Sequence, residues 1–234
     1  MEEFAGHGFT PAPTAQRPLL GLTILVVEDS RYASEALRLM CLHSGARIRR
    51  ADSLTAARRH LAIYSPSAVL IDMGLPDGSG ADLIAEMTEM TPRIPTILGT
   101  SAGAFAEPVA IAAGADGFLL KPHESLAAFQ ETILAHLPAD RQPGTPRPVN
   151  QADIHADQLS MRDDLAHAAE MLRRGANSEM KSYAAQFLGG IAQQSHDDAL
   201  AMAAQRLGAN LVDETHIDQL CDLLDERIEH APAI

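Results

Sequence analysis

The run Ala68-Val69-Leu70-Ile71-Asp72, followed at once by Met73-Gly74-Leu75-Pro76-Asp77-Gly78, decides how the first half of the chain reads. An unbroken apolar run that ends on a carboxylate before a Gly- and Pro-rich turn is a buried strand delivering Asp72 to the rim of a sheet. Three further runs end on chemically useful groups. Leu25-Val26-Val27 leads into Glu28-Asp29, Thr96-Ile97-Leu98-Gly99 into Thr100-Ser101, and Gly117-Phe118-Leu119-Leu120 into Lys121-Pro122. In an open α/β sheet, ligands gather beyond the carboxyl ends of the strands. The three acids, the hydroxyls and the ammonium are therefore expected in one place.

Outward from this run, short apolar segments alternate with helical patterns from Thr23 to Leu137. The spacing predicts strands at 23–27, 46–50, 67–71, 95–99 and 117–120. Helices are expected near 31–44, 54–63, 81–90, 105–113 and 124–136. Such alternation predicts an α/β fold, a five-stranded parallel sheet wound by helices on both faces. The mixed run Ala46-Arg47-Ile48-Arg49-Arg50 reads as an edge strand, and Ser30 and Ser53 stand at N-cap positions. Residues 1–21, small residues and prolines with few charges, read as a flexible tail ahead of a domain at 22–137. Pro138 to Pro148 holds four prolines and a glycine in eleven residues, which makes 138–150 a linker. Residues 151–234 have no proline before Pro232 and read as four helices near 157–174, 178–194, 197–208 and 213–230, with Asp213 capping the last. Short connections favour an antiparallel bundle.

The 234 residues carry a formal net charge of −13. The helical part alone holds 15 acids against 6 Lys and Arg, a poor surface for phosphate backbones and an argument against a nucleic-acid partner. Cys41 and Cys221 have no metal-ligand spacing around them. With no basic, apolar leader at the start, they suggest a reducing cytoplasm. No apolar stretch is long enough to span a membrane.

Glu28 and Asp29, taken alone, would complement the dipole of the helix that follows. Beside Asp72 they make three carboxylates that repel unless a cation or a proton relieves them. A hard, oxygen-ligated ion such as Mg²⁺ suits that set. Asp72 is then a candidate phosphoryl acceptor, since a carboxylate becomes a competent nucleophile when its charge is neutralised and attack is in line. Lys121, extended by Pro122, would face the same charge. Pro76, Asp77 and Gly78 read as turn chemistry.

In this order the motifs resemble the receiver domain of two-component response regulators over residues 22–137. They are Glu28-Asp29, Asp72 with its Gly74-containing turn, Thr100, Gly114-Ala115-Asp116-Gly117-Phe118 and Lys121-Pro122. The resemblance implies a flavodoxin-like sheet order and phosphorylation of Asp72 by a histidine kinase. It implies Mg²⁺ held by Glu28, Asp29, Asp72 and the Gly74 carbonyl. Lys121 and Thr100 would contact the phosphoryl group, and Thr100 and Phe118 would act as the switch pair. Ser101 stands where that family usually has alanine, and His123 where an aromatic residue is common.

The helical half says less. Tyr183-Ala184-Ala185-Gln186-Phe187-Leu188-Gly189-Gly190 weakly resembles the phosphohistidine helix of histidine phosphotransfer bundles. Gln186 would occupy the histidine position, and an amide cannot carry the phosphoryl group. The implied output is contact with another protein through the receiver face or a non-catalytic bundle, with no catalysis beyond the receiver's own phosphorylation and dephosphorylation. A phosphorelay intermediate with an active bundle and a DNA-binding regulator are the alternatives, opposed by Gln186 and by the acidity. A homodimer is left open. Gly189-Gly190 in mid-helix reads as close helix contact, and His155, His167, His196, His216 and His230 as surface residues. A haloacid-dehalogenase-type phosphatase would need an acid where Gly74 stands.

Overall fold

Strand β3 (Ala68–Asp72) is buried at every residue, as its continuous apolar run requires, and forms the middle of the sheet. Around it lie β1 (Thr23–Val27), β2 (Arg47–Ala51), β6 (Ile97–Ser101) and β7 (Gly117–Leu120), all parallel, in the order β2-β1-β3-β6-β7. The edge strand β2 is largely exposed, which its three arginines permit. The short strands β4 (Gly74–Leu75) and β5 (Gly78–Ser79) pair antiparallel and tie down the turn after Asp72. This computed structural model describes residues 12–103, 105–123, 125–143, 154, 157–175, 177–209 and 214–230.

Helices α1 (Arg31–Ser44), α2 (Leu54–Leu61), α3 (Gly80–Thr88), α4 (Ala106–Ala112) and α5 (Leu126–His136) cover the sheet. Two apolar clusters result, one on each face. The first joins Ile24, Val26, Leu37, Leu70 and Phe129, and the second Leu25, Val27, Ile71, Leu83 and Ile97. Ser30 and Ser53 accept from Ala33 and Ala56 N–H and cap α1 and α2. Asp77 does more than turn the chain. Its carboxylate accepts from the N–H groups of Leu54 and Thr55 at 2.8 and 2.9 Å and so caps α2 from outside.

The tail expected over 1–21 ends sooner. Leu19 is fully buried in the first cluster and its N–H bonds the Ser44 carbonyl at 2.9 Å, because an apolar side chain at the open end of the sheet gains by burial. Residues 1–11 lie outside the described residues. Of the linker read at 138–150, a 3₁₀ turn covers Ala139–Arg141, and 144–150 lie outside the described residues, as does Asp213.

The remaining helices are α6 (Gln158–Arg173), α7 (Ser178–Gln194), α8 (Asp198–Gly208) and α9 (Glu214–His230). They share a third apolar cluster built on Leu165, Leu172, Leu188, Ile191, Leu200 and Leu224. Asp157, Asn177 and Asp197 cap α6, α7 and α8. Both cysteines are buried free thiols.

Candidate functional site

Parallel register brings the strand ends together. Asp72 lies beside Thr100 across β3 and β6, and β1 delivers Glu28 and Asp29 next door. Glu28, Asp29 and Asp72 each offer one carboxylate oxygen within 4.8 Å of the others, close enough to share a divalent cation. Lys121 follows β7. Its Nζ donates to Asp72 Oδ2 at 2.6 Å and pairs with Glu28 Oε2 at 2.8 Å. The Lys121–Pro122 peptide is cis. The Gly74 N–H faces the other Asp72 oxygen, Oδ1, at 3.2 Å.

Burial sets the electrostatics. It raises the Glu28 carboxyl well above the usual range; Lys121 opposes the rise, and Asp72 and Asp29 add to it. Burial, reinforced by Asp72 and opposed by a hydrogen bond from Tyr183, pushes Asp29 up to about 6. Burial also works against the Lys121 ammonium, but Asp72 and Glu28 together outweigh it and hold the charge above the ordinary lysine range. One cation thus sits among three acids, and a second positive charge would relieve the rest.

Thr100 is buried, and the partners of its hydroxyl are not the acids. It donates to the Leu119 carbonyl at 2.7 Å, so the contact with His123 Nε2 at 3.1 Å must be donated by the imidazole. Burial and the Lys121 charge hold His123 neutral, down to about 3. Ser101, the next residue, faces the cleft instead. Phe118 is half-buried against Gly99; a Cβ on that glycine would lie 3.1 Å from the ring.

The cleft is partly covered. Helix α7 lies across it and leaves a cavity of about 410 Å³, open to solvent at one side, shared by Asp72, Lys121 and Ser101 with Gln186, Gly189 and Gly190. The seat is specific. Asp164 on α6, 3% exposed, accepts from Ser30 Oγ at 2.8 Å and from the Arg31 and Tyr32 N–H groups at 3.0 Å, capping α1 across the domain boundary. Asp163 pairs with Arg31. Gln194 bonds both backbone groups of His123, accepting at 3.0 Å and donating at 3.1 Å. The Tyr183 hydroxyl donates to Asp29. A Cβ on Gly74 would lie 2.5 Å from Gln186 Oε1, so a larger residue at 74 would displace the end of that side chain.

Asp72, Lys121, Glu28, Asp29 and Gly74 thus meet as the sequence led one to expect, while Thr100 and Phe118 stand behind them. Asp164 and Gln194 were missed, because an acid and an amide on polar helices carry no signal for a contact 71 to 134 residues away. Gly189 and Gly190 do not serve close helix contact: a Cβ on either would meet nothing within 4 Å, and both open onto the cavity.

Sequence comparison agrees with this geometry. The model of the response regulator receiver domain family matches residues 24–132. That part of the chain is a response regulator receiver domain. Among curated relatives, the transcriptional regulatory protein PhoP of Escherichia coli K12 is 24% identical over 147 residues, spanning 62% of this chain and 66% of that one. KdpE of the same strain, a KDP operon transcriptional regulatory protein, is 30% identical over 100 residues, 42% of this chain and 44% of its own. The match to the probable transcriptional regulatory protein TcrX of Mycobacterium tuberculosis is 27% over 159 residues, 66% and 63%. The chain thus spans less than two thirds of the length of these relatives. Among solved structures, the receiver domain of a Pseudomonas aeruginosa sensor histidine kinase, with magnesium coordinated in its active-site cleft, is 25% identical. It covers 49% of this chain and 96% of its own, with a TM-score of 0.45. No helix among the described residues is long and apolar enough to cross a membrane.

Proposed function

We propose that the chain is a two-component response regulator whose Asp72 accepts a phosphoryl group from the phosphohistidine of a histidine kinase. The observation that carries this is a buried Asp72 held by Lys121 beside two further carboxylates. An Asp72 oxygen attacks phosphorus in line with the imidazole nitrogen. The oxygen–phosphorus bond forms as the phosphorus–nitrogen bond breaks, and the electron pair leaves with the imidazole. Phosphoryl transfer asks the protein mainly for position and charge. Lys121 supplies a fixed ammonium that needs no reorganisation as the transferred oxygens arrive. The acid cluster fits Mg²⁺, which Glu28, Asp29, Asp72 and the Gly74 carbonyl would hold and which supplies the remaining neutralisation. Thr100 would reach a phosphoryl oxygen only by leaving Leu119 and His123, whereas the Ser101 hydroxyl already faces the cleft.

Output runs through protein contacts of the receiver face and the bundle. The names of the relatives favour a second reading, DNA binding, against which stand the 15 acids and 6 bases of residues 151–234. No catalysis beyond the receiver's own phosphorylation and dephosphorylation is assigned, and the fold suits the cytoplasm. Incubation with a small phosphodonor and Mg²⁺, followed by intact-mass measurement, should add one phosphoryl group to the wild type and none to Asp72→Asn. Equal labelling of both refutes the assignment.

A further inference from the structure

Helix α7 turns polar side chains toward the receiver, with Phe187 and Ile191 beside them at the cleft. Tyr183, Gln186, Gly190, Gln193 and Gln194 recur at helical spacing on the side that covers the cleft. Tyr183 and Gln194 anchor this side, to Asp29 and to His123. The Gln193 side-chain N–H reaches the Ala102 carbonyl at 3.4 Å. Gln186 is different. Its carboxamide lines the cavity over Asp72, solvent reaches it, and its oxygen occupies the space that a Cβ on Gly74 would take. Beyond it, Gly189 and Gly190 place no side chain in the cavity. A cap meant only to plug the cleft would fill this space. This one leaves about 410 Å³, partly open to solvent, more than ten times the roughly 30 Å³ share of one water, which is room for a phosphoryl group on Asp72 and a water.

We propose that α7 gives the chain a phosphatase activity in cis, with Gln186 as the residue that positions water for hydrolysis of the acyl phosphate on Asp72. The proposal rests on Asp72 being the acceptor. A carboxamide is well matched to this role. Its oxygen accepts from water while its NH₂ donates to a phosphoryl oxygen, and it neither carries charge against the dianion nor competes as a nucleophile. In GTPases a glutamine orients the attacking water in the same class of reaction. The water oxygen attacks phosphorus opposite the Asp72 oxygen. The new oxygen–phosphorus bond forms as the acyl phosphate bond breaks, Asp72 leaves as a carboxylate, and the water's proton departs with inorganic phosphate. No further reactant is needed. The same seat screens Asp72 from a protein donor, so the docked bundle returns the receiver to its unphosphorylated form and keeps it there.

The test follows decay of the acyl phosphate on the full chain by intact mass, after labelling with a small phosphodonor and Mg²⁺ and removal of the donor. Gln186→Ala and the similarly sized Gln186→Leu should both lengthen the phosphoryl lifetime about tenfold or more, the scale of losing one positioning contact. A packing role would leave Gln186→Leu at the wild-type lifetime. Asp164→Ala, which releases the seat without touching Gln186, should lengthen it as well, and adding Gln186→Ala to Asp164→Ala should then change nothing. Unchanged or shortened lifetimes in both Gln186 variants overturn the proposal; shortening would mean that the helix merely shields the phosphoryl group. Should the wild type take up no label, the acceptor assignment fails first and this inference falls with it; labelling with an unaltered decay refutes the inference alone.

Discussion

Asp164→Ala is the sharpest perturbation of the contact between the two halves. The Asp164 carboxylate is buried and accepts three hydrogen bonds, two of them from the first two N–H groups of α1. Hydrogen bonds to a charged acceptor contribute about 1.5–3 kcal/mol each, and loss of a helix cap costs about 0.5–2 kcal/mol. Burial opposes them, since it raises the Asp164 carboxyl above the usual range against the bonds from Tyr32, Ser30 and Arg31. Once undocked, moreover, water satisfies the freed N–H groups. Allowing for both, the substitution should weaken docking by roughly 2–4 kcal/mol, about 30- to 1,000-fold in the docking equilibrium. Hydrogen exchange read by peptide mass reports it directly. Exchange should rise at the start of α1 and over residues 72–76, while the central strands keep their protection. Asp164→Asn, which keeps shape and loses charge, should fall between. Unchanged exchange at both segments in Asp164→Ala would refute the claim that this carboxylate holds the bundle on the receiver.

Other consequences are simpler to measure. Lys121→Ala leaves Asp72 and Glu28 buried without their cation, and breaking such a pair costs about 3–5 kcal/mol; the denaturation midpoint should fall, and added Mg²⁺ should restore part of it. Mg²⁺ affinity should drop as pH falls through about 6, where Asp29 takes up a proton, because ion and proton compete for the same oxygens. A titration equally tight at pH 7 and pH 5 would contradict this. Asp164→Ala should speed phosphorylation by a histidine kinase more than phosphorylation by a small donor, which the cavity already admits; equal acceleration would mean that α7 does not screen Asp72. The full chain should not retain duplex DNA at physiological salt, and salt-sensitive retention would restore the DNA-binding reading.

How much was legible follows from the range of the forces involved. Helix α1 starts at Arg31 because Ser30 caps it, and both facts lie within four residues. The end of β3 on Asp72, and the burial of every residue in it, follow from one apolar run before a turn. Three strand starts were placed a residue or two early, β2, β3 and β6, and the last two sit where a polar or Pro residue borders the apolar run. The orientation of Thr100 was less accessible, because it depends on a bond to Leu119 in another strand and on His123 beyond it. The capping of α2 by Asp77 likewise crosses 22 to 23 residues.

By itself, then, the amino-acid sequence determined the receiver, its acidic site and the helical character of the second half, since periodicity, capping and strand-end chemistry are local. Only the tertiary structure decided that the second half closes over the first. That contact is made by Asp164 on the end of α1, Gln194 on the backbone of His123, and Gln186 in the gap left by Gly74. Each is a hydrogen bond or a fit between groups far apart in the chain, and such groups become complementary only once both surfaces exist.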